Sequence, residues 1–252
     1  MKKIIYFIEF LLVEFLFIIC KIIGYKSASN LGFFIGKNFG NFFRKKGSLL
    51  ENLHNSKITI NISDKQFVNN VLGNYGRILT EYPFLKDFRE NKLEQYIKID
   101  GKENLDKIKN NNKPVVFISG HFNNFELMAM QIEKNGINLA AIYRPLNNIF
   151  LNKTMEQIRT KYICKNQIRK GRSGTRQILE NLKKGNSIAL MIDQRVTEGI
   201  KIDFFGNLAS TTTIPAQIIK KYECDLVPIY IERLDKYNFK MYVSQPISIN
   251  SE

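Results

Sequence analysis

Residues 114–133 constrain the fold most, because the hydrophobic period changes there from that of a strand to that of a helix. The apolar run PVVFI at 114–118 leads into the polar segment SGHFNNFE at 119–126, and a helical pattern continues to residue 133. This order predicts a strand, a tight turn and a helix. It places His121, one of 2 histidines in the chain, at the carboxyl end of the strand and beside the helix N-terminus.

Similar units recur along the chain and predict an α/β fold. We expect strands over residues 94–100, 115–119, 137–143, 187–192, 200–205, 226–231 and 239–243. We expect helices over residues 63–82, 101–112, 123–135, 148–161, 173–184 and 214–221. Such alternation predicts a mixed, mostly parallel central sheet flanked by helices. Ligands bind beyond the carboxyl ends of strands in these sheets, and His121, Arg144 and Asp193 each follow such an end.

The N-terminus is a long apolar stretch with scattered charges. Residues 4–23 are mostly apolar but contain Glu9, Glu14 and Lys21, and they have no small-residue cleavage site of a signal peptide. The length suits a bilayer span, whereas each carboxylate near the bilayer centre would cost roughly 2.5–3.5 kcal/mol. We therefore expect a helix lying on the inner face of a membrane, with a single span and a buried core helix as alternatives. A second helix within residues 27–47 carries phenylalanines that either touch lipid or pack in the core.

Charge and cysteine usage narrow the partners and the compartment. The net charge of +15 favours anionic partners such as acidic headgroups, phosphorylated substrates, an acidic carrier protein or nucleic acid. A composition rich in Lys, Asn and Ile, typical of AT-rich genomes, is the alternative explanation. Cys20, Cys164 and Cys224 form no CxxC pair and are odd in number, which argues against a disulfide scaffold or a zinc site and suits a reducing compartment. We expect no metal and no cofactor.

The turn after residue 118 offers the parts of a general-base site. A histidine there can take a proton from a substrate hydroxyl, and a carboxylate can orient its ring. With Asn123 as the helix cap, Glu126 falls at the third helical position, from which its carboxylate can fold back toward His121. A hydrogen-bonded turn histidine and a structural capping box are the alternatives. The sequence has no Gly-x-Ser-x-Gly elbow, GxGxxG or Walker motif to support covalent catalysis or nucleotide binding.

The motif His121-x4-Glu126, within GHFNNFEL, resembles the His-x4-Asp/Glu signature of the lysophospholipid acyltransferase-like superfamily. Within it, the sequence is most similar to the lipid A biosynthesis (lauroyl/myristoyl) acyltransferase family. Further segments follow in the order typical of that family: IDGKENL at 99–105, YRPLNN at 143–148, Gly171-Arg172 with Arg176, Asp193-Gln194, and FFGNLAST at 204–211. We expect an N-terminal membrane-associating helical segment over residues 1–47 and a glycerolipid acyltransferase-like α/β domain over residues 48–252.

The resemblance implies an O-acyltransferase. Members of the family move a fatty acyl chain, usually from acyl carrier protein, to a hydroxyl of a lipid A precursor at the cytoplasmic face of the bacterial inner membrane. The implied partners are the carrier protein, the lipid A precursor or a related glycolipid, and the membrane surface, without nucleic acid. A lysophosphatidate or glycosyl-lipid acyltransferase is the alternative enzyme, and a non-enzymatic basic protein that binds membranes or nucleic acid is a remote alternative.

The same resemblance implies roles for individual residues. His121 is the general base and Glu126 its partner, and Arg144 binds phosphate or stabilises charge, with a surface ion pair as its alternative. Substrate contacts are expected from Asn123, Asn124, Arg172, Arg176, Asp193, Gln194, Phe205 and Gly206. Arg172 and Arg176 are expected to contact lipid phosphates or phosphopantetheine, or else only solvent. Asp193 and Gln194 shape the floor of the site or cap a turn. Phe205 and Gly206 are architectural and could line an acyl channel.

The sequence departs from the family pattern at its C-terminus. Members of the family continue into a helical, basic tail that contains tryptophan. This sequence has no Trp and reaches Glu252 soon after its last predicted strand. We expect either a short member of the family or a truncated sequence.

Overall fold

The computed structural model describes residues 1–42, 46–197 and 199–249. The α-helices are α1 Lys2–Ile23, α2 Tyr25–Phe39, α3 Lys46–Ser56, α4 Asp64–Glu81, α5 Leu85–Arg89, α6 Lys102–Asn111, α7 Glu126–Lys134, α8 Ile149–Ile158, α9 Arg172–Lys183 and α10 Ile214–Tyr222. The strands are β1 Ile97–Asp100, β2 Val116–Ser119, β3 Leu139–Tyr143, β4 Asn166–Arg169, β5 Ser187–Met191, β6 Ile200–Phe204, β7 Asn207–Thr211, β8 Leu226–Arg233 and β9 Phe239–Val243. A π-helical turn, Arg159–Ile163, continues α8.

The central sheet confirms the predicted α/β class. Within the described ranges it has 7 strands in the order β1-β9-β8-β2-β5-β3-β4. Neighbouring strands are parallel except for β8 and β9, which pair antiparallel. The sheet is therefore mixed and mostly parallel, and helices flank it.

Three strands, β4, β6 and β7, depart from the prediction. The segment expected at 200–205 does not join the central sheet; as β6 it pairs with β7 in an antiparallel surface hairpin, and Phe204 and Leu208 are exposed there. Its alternating apolar residues therefore belong to an exposed hairpin. Strand β4 was not predicted, because its sequence NQIR has a single buried residue, Ile168, and carries little periodic signal.

Strand β2 holds the predicted active-site turn rigidly. It lies between β8 and β5, and its side chains alternate between two hydrophobic cores on opposite faces of the sheet. Phe117 enters one core and Val116 the other, and both are fully buried. A strand covered on both faces reads as a continuous apolar run, which explains the PVVFI pattern.

Helix α1 attaches to the domain along one face. Phe17 and Cys20 are buried in the same core as Phe117, so the alternative of a core helix is correct for this face only. The opposite face leaves large apolar side chains exposed, including Ile4, Ile8, Leu11, Leu12, Phe15 and Ile18. Among the described residues, no helix combines the length and the apolar character needed to cross a membrane.

Helices α2 and α4 pack with backbone against backbone. A Cβ atom added to Gly32 would overlap the carbonyl oxygen of Gly76, and one added to Gly76 would overlap that of Gly32. Only glycine permits this approach. The predicted start of α4 is confirmed, because Ser63 Oγ accepts a hydrogen bond from the N–H of Gln66 at 3.3 Å. The domain boundary expected near residue 47 stays a prediction.

Candidate active site

The turn after β2 meets the turn after β5. The two strands are parallel neighbours with Ser119 opposite Met191, so residues two positions beyond each strand also lie side by side. There Asp193 Oδ1 is 2.8 Å from His121 Nδ1, and Asp193 Oδ2 accepts the backbone N–H of His121 at 2.8 Å. With a carboxylate as acceptor, Nδ1 carries the hydrogen and Nε2 keeps its lone pair for a substrate proton.

The His121 ring is held on further sides but stays accessible. Gln194 Nε2 lies 3.5 Å from His121 Nε2, at the outer limit of a hydrogen bond. The ring of Phe125 packs edge-on against the imidazole, with 4.8 Å between centroids. The His121 side chain is 30% exposed, so a substrate can reach it.

The expected partner of His121, Glu126, does not lie beside it in the structure. Asn123 has a φ of +44°, in the left-handed region, whereas a helix cap needs an extended backbone. Helix α7 therefore begins at Glu126 itself, without a side-chain cap, and the Glu126 carboxylate does not fold back over the turn. The hydrogen bonds described for it end on Arg159 and Tyr82, and the carboxylate beside His121 Nδ1 is that of Asp193.

Glu126, Arg159 and Tyr82 form a buried polar cluster. Glu126 Oε1 accepts from Arg159 Nη2 at 2.6 Å, from Arg159 Nε at 2.9 Å and from the Tyr82 hydroxyl at 2.9 Å. Burial, followed by the neighbouring Glu126 carboxylate, raises the pKa of Tyr82 well above its usual range. Burial is the largest influence on Arg159 and opposes its charge, but Glu126 and Tyr82 together outweigh it, so the pKa of Arg159 is raised. The cluster is thus an ion pair with a neutral tyrosine.

A cavity of about 310 Å³ is lined by His121 and by two members of this cluster, Glu126 and Arg159. Its walls are largely apolar and include Phe117, Met128, Ala129, Ala141, Ile163, Ile178, Ala189 and Leu190. Cationic side chains line it as well: Arg144, Arg159, Arg169 and Lys170. The arrangement can hold an apolar chain beside a general base and a set of positive charges.

Arg144 and Arg169, which both line the cavity, differ in whether an ion pair neutralises their charge. Arg169 forms an ion pair with Glu156 at 2.9 Å, and its Nε donates a hydrogen bond to the Tyr143 hydroxyl oxygen at 3.0 Å. Arg144 is exposed, and among the described residues no ion pair reaches it. The alternative of a surface ion pair is therefore not seen, and the guanidinium is available to an anionic ligand.

Asn124 lies inside the protein, where it supports the turn. It is 1% exposed, and its Nδ2 donates to Glu81 Oε2 at 3.0 Å. Glu81 is fully buried and accepts two hydrogen bonds from the Arg233 guanidinium, at 2.7 and 3.0 Å. A third donor, Ser29 Oγ, lies 2.7 Å from Glu81 Oε1. The network joins α2, α4, β8 and the turn that carries His121.

The remaining predicted contacts are scattered. Arg176 is exposed and pairs with Glu180 along α9, and the side chain of Arg172 lies outside the described residues. Phe205 and Gly206, with φ of +54° and +74°, form the two-residue turn at the tip of the β6–β7 hairpin. The cavity walls in the described ranges do not include them. Asn123 lines an open cleft on another side of His121.

Sequence reasoning missed Arg159, Tyr82, Glu81 and Arg233. Each belongs to a helix or strand whose local pattern shows only amphipathic periodicity. The lone signal was an acidic residue and an arginine placed at otherwise apolar positions. That signal is too weak to pair residues that lie 33 or 152 positions apart in the chain.

The other histidine is a useful contrast. His54 lies on α3 with its side chain 65% exposed, 3.6 Å from Asp64. It is distant in sequence from every strand end and does not line the cavity. Of the two, His121 therefore has the setting of a general base.

Comparison with known proteins agrees with this geometry. The sequence profile described as bacterial lipid A biosynthesis acyltransferase matches residues 1–252, the whole chain. No curated protein matches the chain. The resemblance noted for the His-x4-Glu segment is therefore confirmed at the level of the family. The chain belongs to the bacterial lipid A biosynthesis acyltransferase family and is an acyltransferase.

Proposed function

We propose that this protein transfers a fatty acyl chain from acyl carrier protein to a hydroxyl of a lipid A precursor, with His121 as general base. The observation that carries the proposal is the His121–Asp193 pair beside the apolar cavity. It joins a base whose Nε2 can receive a proton with a space suited to a hydrocarbon chain. Family membership supports the lipid acceptor.

The proposed reaction is a direct attack. His121 Nε2 takes the proton of the acceptor hydroxyl as its oxygen bonds to the thioester carbonyl carbon. The carbonyl oxygen becomes an oxyanion, which Arg144 stabilises. The C–S bond then breaks, and the departing thiolate takes the proton from the imidazolium. Asp193 holds the ring and stabilises its charged form, as in other His–carboxylate pairs.

Arg144 is preferred over the N–H groups of Leu127 and Met128, in the first turn of α7, as the oxyanion donor. The N–H groups of Leu127 and Met128 already donate to the carbonyl oxygens of Asn124 and Phe125, at 3.1 Å each. They are therefore not available to a substrate. The guanidinium of Arg144 is exposed and lines the same cavity as His121.

The donor is proposed to be a carrier-bound thioester because of charge at the cavity. Arg144 and Lys170 line it, and the chain as a whole carries a net charge of +15. An acidic carrier with a phosphorylated prosthetic group would be attracted by such a field. Each methylene of its acyl chain buried in the cavity would contribute about 0.8 kcal/mol.

We expect Asp193→Asn to lower kcat by about 10²–10⁴-fold, the range for losing general-base catalysis. The amide is a weaker acceptor for the Nδ1 hydrogen and no longer stabilises the imidazolium, whereas the size of the side chain is unchanged. Steady-state kinetics would measure the loss, with Asp106→Asn on the exposed face of α6 as control. If the kcat of Asp193→Asn stays within a few-fold of the parent, Asp193 is not the residue that orients the His121 ring.

The membrane is proposed as the source of the acceptor. Helix α1 contacts the start of α8, where Asn148 Nδ2 donates to the Tyr6 carbonyl at 2.8 Å and to Glu9 Oε2 at 2.9 Å. The π-helical turn that follows α8 carries Arg159, which lines the cavity. An α1 lying with its exposed apolar face in a bilayer surface, at the cytoplasmic side of the inner membrane, would bring lipid close to the site.

The double change Ile8→Glu with Leu12→Glu is expected to weaken binding to vesicles of anionic phospholipid by at least about 10-fold. Burying one such side chain contributes about 1.5–3 kcal/mol, and 1.4 kcal/mol is a tenfold change in affinity. Both residues are exposed, so the fold should survive. Co-sedimentation would measure binding, and Ile58→Glu, at an isoleucine exposed outside α1, is the matched control. Unchanged co-sedimentation of the double variant would reject α1 as the binding face.

The function itself is tested by product analysis. Purified protein is incubated with acyl-carrier thioesters of several chain lengths and a tetra-acylated lipid A precursor, and the lipids are weighed by mass spectrometry. We expect a single added acyl chain. Transfer to lysophosphatidate but not to the lipid A precursor would reject the proposed acceptor.

A further inference from the structure

We propose that an open cleft between α4 and the His121 turn binds an uncharged, hydroxyl-rich sugar unit of the acceptor. This inference rests on the proposed acyl transfer and adds the place and chemistry of acceptor binding. The cleft measures about 360 Å³. Of the residues that the structure describes, His121 alone lines both this cleft and the apolar cavity.

One face of α4 builds most of the cleft. Asn70, Asn74 and Tyr75 line it together with Phe67, Val71 and Ile78. Their spacing of three and four residues places them on one side of the helix. The turn contributes His121 and Asn123 from the opposite wall. The base is therefore at the meeting point of two spaces of different chemistry.

The two inner asparagine amides are oriented by the protein. Asn74 Oδ1 accepts from Arg233 Nε at 3.2 Å, so its Nδ2 is left to donate. Asn123 Nδ2 donates to the Ile231 carbonyl at 3.1 Å, so its Oδ1 is left to accept. Asn70 is exposed at the rim. A donor and an acceptor at fixed positions suit ligand hydroxyl groups, which both donate and accept.

Charge and aromatic surface favour a sugar over a phosphate. Apart from His121, the residues that line the cleft in the described ranges are uncharged. Arg233, which donates to Asn74, is already bound to Glu81 at 2.7 Å, with its side chain 8% exposed. The ring of Phe67 offers an apolar face for the C–H surface of a sugar. Phosphate groups would instead find free cations at the apolar cavity, where Arg144 lies.

The cleft is also rigid. Its α4 wall is fixed against α2 by the contact between Gly32 and Gly76. The C-terminal end of α4 is held by the buried pair of Glu81 and Arg233. A preformed site loses little entropy when it binds a small polar ligand.

The kinetic test uses Asn70, which is exposed and can be changed without disturbing the core. We expect Asn70→Ala to raise the KM for the lipid A precursor by roughly 3- to 10-fold, since it removes a hydrogen bond to an uncharged group. Asn70→Phe, which fills the cleft, should raise it further. The KM for the acyl-carrier thioester should rise by less than the KM for the acceptor, because Asn70 does not line the apolar cavity. Asn69→Ala, at the neighbouring asparagine outside the cleft, is the control.

A binding test separates this inference from the proposed function. Saturation-transfer NMR would follow a neutral N-acetylglucosamine disaccharide and, separately, glycerol 3-phosphate. We expect the disaccharide to bind the parent and Asn69→Ala, and Asn70→Phe to weaken it at least about 10-fold, because the cleft is filled. Absent or Asn70-independent disaccharide binding would overturn the cleft as a sugar site, whatever the transfer assay gives. Disaccharide binding without acyl transfer would instead reject the proposed function.

Discussion

Replacing His121 by alanine is expected to reduce kcat for acyl transfer by about 10²–10⁴-fold, the usual loss when a general base is removed. The hydroxyl would then have to attack with its proton in place. Because the side chain is 30% exposed and its hydrogen bonds go to Asp193 and Gln194 at the surface, the fold should be little affected. The KM for the thioester should stay within a few-fold, since the cavity walls remain.

The second histidine of the chain provides the control for this result. His54→Ala removes the same functional group from an exposed position on α3 and should leave kcat unchanged. Initial rates would be measured with both substrates saturating. If His121→Ala keeps activity within a few-fold of the parent, the general-base mechanism is wrong, although family membership would stand.

Glu81→Ala is expected to have the largest effect on stability, lowering the free energy of unfolding by about 3–5 kcal/mol. Glu81 is fully buried, and its removal would leave the Arg233 guanidinium without its bidentate partner. Asn124 and Ser29 would lose an acceptor at the same time. Urea denaturation would measure the change as a shift of the midpoint.

Two further variants show whether the loss comes from the buried charge. Glu103→Ala, at an exposed glutamate on α6, should be nearly neutral. Replacing both partners, Glu81→Gln with Arg233→Met, should destabilise less than Glu81→Ala, because no unpaired charge is left inside. A midpoint for Glu81→Ala equal to that of the parent would show that the network contributes nothing to stability.

Much of the fold followed from local patterns. The βα alternation, the start of α4 at Ser63 and the buried strand before His121 are each encoded by a few adjacent residues. The same patterns placed His121, Arg144 and Asp193 at strand ends. Periodicity could not give the order of the strands. That β5 lies next to β2, and so brings Asp193 to His121, depends on packing across the whole sheet.

The site residues that were predicted wrongly also depend on geometry that local patterns do not encode. The pairing of Glu126 with His121 assumed that Asn123 capped the helix, and a single left-handed φ at Asn123 shifted the helix start and turned the carboxylate inward. Phe205 and Gly206 lie at a hairpin tip because strand β6 found its partner in β7 and not in the central sheet. Backbone geometry in turns and long-range strand pairing are the two quantities that a single sequence encodes least directly.

The contact between Gly32 and Gly76 has a consequence for how this enzyme can change over time. A helix that only covers apolar surface can usually be replaced by another helix of similar hydrophobicity. Here the second helix rests on the wall that carries Asn70 and Asn74, with no room for even one methyl group between them. Substitutions in α2 are therefore restricted by its close contact with α4. We expect α2 to evolve together with the domain on which it packs.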